Sequence, residues 1–145
     1  MNEIQIQTLV SGVIATGAIS LYYYLIDSLR VEVLAPWRLI EYLLNVSLFW
    51  GWVFHLSVGL IFTWIYRRIL SLALRKIKNL IFRGLTYGFI VFVISEVVIG
   101  LIDFDLGMTI GYHIVSMGVL FLGDLIFGTL IGLMVPPRNF HIHNN

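Results

Sequence analysis

The sequence predicts an all-α membrane protein, a bundle of four transmembrane helices. Three observations predict it. Of 145 residues, 59% are hydrophobic and only 12% are charged, against about 25% charged in soluble chains. Mean hydropathy is +0.95. Four separate runs each reach the length of about 20 apolar residues that a bilayer crossing needs. A soluble domain of this size hides only about 68–70% of its unfolded surface, too little to cover so apolar a chain. Soluble globular enzymes, disordered regulators and nucleic-acid binders are therefore excluded. Cysteine is absent, so disulfides, thiolate metal sites and cysteine nucleophiles are excluded as well.

The whole chain, 1–145, reads as one membrane domain. Its spans are expected at 8–29, 43–66, 80–102 and 111–135. The first run has no basic segment before it and is too long for a signal peptide, so it reads as a retained helix. Between spans one and two lies a polar stretch with Pro36, which reads as a loop. Residues 103–107 read as a short turn between spans three and four. Pro136 and Pro137 end the fourth span, because proline cannot continue a helix, and leave a loose polar tail at 136–145.

Charge sets the orientation. Arg67, Arg68, Arg75, Lys76, Lys78 and Arg83 join spans two and three, and Arg138 lies in the tail. That places seven of the nine basic residues on one side. The other side holds Arg30 and Arg38 with Asp27, Glu32, Glu41, Asp103 and Asp105. Basic loops stay in the cytoplasm, so both termini are expected there, in a bacterial-type inner membrane. The basic connection 67–83 has helical spacing of its own. Ile69, Leu70, Ala73, Ile77, Leu80 and Ile81 fall on one face, and Arg68, Ser71, Arg75 and Lys78 on the other. This suits a topology anchor, with Arg68, Arg75, Lys76 and Lys78 placed to meet anionic lipid headgroups.

A four-residue spacing of small or polar residues recurs in every span. It gives Thr8, Gly12, Thr16 and Ser20; then Gly51, His55, Gly59 and Thr63. It continues with Gly84, Gly88, Phe92, Glu96 and Gly100, and with Leu120, Asp124, Gly128 and Gly132. Residues four apart share a helix face, and small residues let helices approach closely in lipid. Gly12, Gly51, Gly59, Gly84, Gly88, Gly128 and Gly132 are therefore expected to pack helix on helix. The run His55–Gly59–Thr63 also aligns with Asp124–Gly128–Gly132, and Gly12 with Gly84. Two repeated helical hairpins, related by an axis along the membrane normal, would produce that pattern. On the His55-x-x-x-Gly59 run and this layout, the chain resembles uncharacterised small four-helix bacterial inner-membrane proteins, which carry such a run in the even-numbered spans. Asp124 departs from that pattern, standing where a second histidine would. The resemblance implies a fold and a location, and no activity.

Ionisable residues inside spans are costly and usually paired or functional. Here they are His55, Glu96, His113 and Asp124. Depth along the helices pairs His55 with Asp124 near the midplane and Glu96 with His113 nearer the outside. Ser20, Tyr22, Tyr23 and Tyr24 are placed to add hydroxyl partners. Three readings stay open. The four residues line an outward-facing polar cavity that binds or conducts a small solute, ion or proton, which asks for a homo-oligomer or a membrane partner. Alternatively, they are interhelical clamps in a structural bundle. Or the two histidines hold haem b, against which stands an offset of roughly 15 Å along the helices.

No nucleophile elbow, phosphate loop or zinc-protease motif is present in the sequence, so neither an enzyme nor a resident metal is expected. His141 and His143 read as incidental. Trp37, Trp50, Trp52, Trp64 and Tyr66 read as an interfacial belt.

Overall fold

A computed structural model describes residues 3–30, 35–106 and 114–135, with side chains for all of these except 100, 102–106 and 114–116. Five helices carry the described chain: α1 (Glu3–Ser28), α2 (Pro36–Leu44), α3 (Leu48–Ile65), α4 (Leu80–Leu106) and α5 (Ile114–Met134). There is no strand among the described residues. Four of the helices, all but α2, are long and apolar enough to cross a membrane.

Helix α1 packs against both α3 and α5, and α5 packs along α4. The burial pattern explains why. In α3 the buried residues are Gly51, His55, Gly59 and Thr63, a single stripe four residues apart. Large residues around it, including Phe49, Trp50, Phe54, Ile61 and Trp64, are exposed. Such a surface suits hydrocarbon rather than water. Most hydroxyls on the inner faces are satisfied locally, although Thr16 Oγ1 is buried without a hydrogen-bond partner. Thr8 donates to Ile4 O at 2.8 Å, Ser11 to Gln7 O at 2.7 Å, and Thr63 to Gly59 O at 2.8 Å. A polar side chain can thus line an apolar helix without a bare donor.

The two hairpins pack by equivalent contacts. A Cβ on Gly12 would lie 2.9 Å from Thr63 Oγ1, and one on Gly59 would collide with the Thr16 side chain. In the second hairpin, a Cβ on Gly132 would lie 2.6 Å from Gly84 Cα, and one on Gly128 would collide with the Gly88 backbone. Gly51 meets the Trp37 carbonyl of α2 instead. Tyrosines join the hairpins. Tyr87 donates to Phe62 O at 2.7 Å, and its ring lies 4.8 Å from that of Tyr66.

The structure departs from the sequence reading in three places. Pro36–Leu44 is a helix, not a loop. Proline suits the first helical turn, where its missing N–H would have no partner in any case. This helix ends at Asn45, which adopts the left-handed conformation (φ 49°). Residues 43–44 therefore belong to α2, and the long helix begins at Leu48. Second, α4 continues through 103–106, into the turn expected at 103–107. No glycine or proline interrupts it there.

Third, the basic connection is not one amphipathic helix. Its first part, Tyr66–Lys76, extends α3 through a π-helical turn at Tyr66–Leu70. Ser71 is fully buried there, with its hydroxyl on Arg67 O at 2.8 Å, whereas Ile69 is 60% exposed. The expected apolar and polar faces are thus exchanged at these positions. Asn79 then starts α4, its Oδ1 accepting from the Ile81 and Phe82 amides at 2.9 and 3.2 Å. That is the work of an N-cap side chain.

Candidate functional site

Three of the four ionisable residues expected within the spans are described, and they separate into two environments. His113 lies outside the described residues, as do His141 and His143. His55 faces α1, where its Nε2 is 3.2 Å from Ser20 Oγ. The Ser20 hydroxyl donates its one proton to Thr16 O at 2.7 Å. Its oxygen therefore accepts from the imidazole, which assigns the ring N–H to Nε2. Trp37 and Trp52 enclose the same ring, edge-on at 5.5 and 6.2 Å between centroids, and stack on each other at 4.2 Å. Trp37 is only 7% exposed and Tyr66 is fully buried, so neither belongs to an interfacial belt.

Tyr23 of α1 sits at the centre of the layer. Its ring meets Trp37 edge-on at 6.2 Å. A Cβ on Gly123 would lie 3.0 Å from its hydroxyl oxygen. Tyr22 beside it donates to Val119 O at 3.2 Å. One level of the bundle thus runs from the Trp37–Trp52 stack through His55, Ser20 and Tyr23 to Asp124.

Asp124 and Glu96 lie on the two helices that pack along each other, α5 and α4. Register sets their separation. Gly88 packs against the backbone of Asp124 and Leu125. Glu96 follows Gly88 by eight residues, about 12 Å along α4. Helix side chains lean toward the N-terminus of their own helix. In this antiparallel pair Glu96 and Asp124 therefore lean toward each other across that gap. Phe92 and Phe121 fill the level between, edge-on at 5.2 Å. Glu96 Oε1 is buried and has no hydrogen-bond partner.

The structure does not join His55 to Asp124. The two sit on α3 and α5, and α1 packs against each of those helices. Depth matching finds residues at one level but not which helices are neighbours. Ser20, the actual partner of His55, stood among the hydroxyl candidates. Trp37 and Tyr87 were missed as interior residues; the signal for Trp37 was Pro36 at a helix start. Among the described residues, no group of three or more His, Asp or Glu stands close enough to hold a metal ion. A groove of about 700 Å³ opens at the basic end, between α1 and α3. No protein-family model, curated protein or solved structure matches this chain.

Proposed function

We propose that this chain is an integral inner-membrane protein, with both termini cytoplasmic, that binds and passes a proton or small cation between Asp124 and Glu96. The membrane assignment follows from four long apolar helices, and the orientation from the basic residues gathered between α3 and α4. Arg68, Arg75, Lys76 and Lys78 then meet anionic headgroups. Four spans make a thin wall for a conduit, so the working unit is a homo-oligomer.

One observation carries the reading. The repeat that matches Gly59 with Gly128 also matches His55 with Asp124, and the one that matches Gly12 with Gly84 matches Ser20 with Phe92. In the first hairpin the polar pair is complete: Ser20 accepts from His55. In the second, a phenylalanine stands where the serine would, beside a carboxylate. A carboxylate at hydrocarbon depth is costly unless a cation or a proton compensates it. No arginine or lysine lies at that level of α4 or α5, where Arg83 is the basic residue of the described pair. A second carboxylate leans in instead. Mobile positive charge, a proton or a small cation, is what this arrangement lacks and attracts.

His55 fits the clamp reading, with hydroxyl and indoles filling its surroundings. The test is reconstitution into liposomes holding a pH-sensitive dye, with imposed proton and sodium gradients. Wild-type protein dissipates one of the gradients faster than empty liposomes, and Asp124→Asn and Glu96→Gln each abolish the difference. If both variants keep wild-type flux and merely melt earlier, the carboxylates are interhelical clamps and the proposal fails.

A further inference from the structure

The groove at the basic end is independent of the carboxylate layer. Its walls are apolar: Leu9 of α1, and Leu60, Ile61 and Trp64 of α3. Its mouth is basic, formed by Arg67 and Arg68. The two arginines have different tasks. Arg67 reaches across to α1, with Nη1 donating to Ile4 O at 2.9 Å and to Thr8 Oγ1 at 2.6 Å. It fixes the spacing of the two helices and so holds the groove open. Arg68 is exposed and lies over the Trp64 ring, 5.0 Å from its centroid. An indole beneath a guanidinium steers it by cation–π attraction and leaves its N–H groups for another acceptor.

We propose that this groove binds one anionic phospholipid, its phosphate on Arg68 and one acyl chain along Leu9, Leu60 and Ile61. From Leu60 to Arg68 the wall extends about 12 Å along α3. It thus pairs an apolar slot with a cation at one end, and a phospholipid has the matching order of parts. Basic pockets between helices at the cytoplasmic surface take anionic headgroups. The remaining basic residues of the segment, Arg75, Lys76 and Lys78, lie outside the groove lining. The site therefore separates Arg68 from the diffuse charge around it. The proposal rests on the membrane reading of the four helices and on nothing about Asp124 or Glu96.

Native mass spectrometry of the detergent-solubilised full chain tests it. The probes are phosphatidylglycerol and phosphatidylcholine with identical acyl chains. Wild-type protein retains one phosphatidylglycerol in preference to phosphatidylcholine. Arg68→Gln weakens that binding about fivefold, the worth of one basic residue near an anionic surface. Lys78→Gln changes it by less than about twofold, being outside the slot. Leu9→Trp fills the slot from an exposed position and lowers retention of both lipids. Equal losses for Arg68→Gln and Lys78→Gln would reduce the effect to diffuse attraction and overturn the site. So would equal retention of the two lipids by the wild type, or a Leu9→Trp variant that binds normally. A protein dimer that Leu9→Trp dissociates would make a second copy the occupant and also overturn it. Failure of the membrane reading has its own signature, release of the chain from membranes by alkaline carbonate.

Discussion

Gly84→Ala is the sharpest probe of how α4 and α5 hold together. A Cβ added at Gly84 would lie 2.6 Å from Thr129 Cα and 3.1 Å from Thr129 O, where ordinary contact begins at 3.4 Å. Both atoms are backbone, so no side chain can rotate away. The helices must part by about 1 Å, and a gap of that size forfeits up to about half of the dispersion well for each atom pair along the seam. Overpacking of this kind costs about 1–3 kcal/mol. The control is Gly17→Ala, where an added Cβ meets nothing within 4 Å. There the substitution gains about 0.5–1 kcal/mol from helix propensity. The propensity gain is common to both variants, so they should differ by the overpacking cost alone, about 1–3 kcal/mol. Reversible unfolding in mixed micelles, followed by helical circular dichroism, measures the difference. Equal stabilities, within about 0.5 kcal/mol, would refute backbone-to-backbone packing at this seam.

Ser20→Ala removes the acceptor of the His55 N–H and should cost about 0.6–1.5 kcal/mol, a typical interhelical or intramolecular hydrogen bond. It should leave any gradient dissipation unchanged in the liposome assay. If it abolishes flux, His55 belongs to the conduit and not to a clamp. Because the chain has no cysteine, single cysteines report orientation directly. Asn79→Cys should react with an impermeant maleimide only from the cytoplasmic side, and Asn45→Cys only from the outside; the reverse pattern would invert the topology.

Much of the helical framework was legible in the sequence because hydrocarbon imposes a simple rule on length and composition. The stripes were legible for a similar reason. Gly59 and Gly128 reveal themselves by what flanks them at four-residue spacing. What escaped was what depends on neighbours. Pro36–Leu44 reads as a loop because Arg38 and Glu41 interrupt its apolar residues and a proline breaks a helix interior. Ser71 and Ile69 exchanged expected exposure because the segment continues the axis of α3 and does not lie along a surface. Arg83 read as a topology charge, yet it is only 3% exposed and donates to Gly132 O at 3.3 Å. A cation there complements the carbonyl end of α5, a relation that no single helix contains. The pairing of His55 with Ser20 instead of Asp124 has the same origin. Spacing along one helix is printed in the chain, while the order of helices around the bundle is set by packing.

The central claim is that Asp124 and Glu96 bind a proton or small cation and pass it between them within the bundle. Infrared difference spectroscopy of the protein in lipid, across a pH and sodium titration, observes those carboxyl groups themselves. A carboxyl band that responds to protons or to sodium, altered by Asp124→Asn and also by Glu96→Gln, is the predicted result. Carboxyl bands that ignore sodium, titrate as free surface carboxylates do, and change independently in the two variants would contradict it.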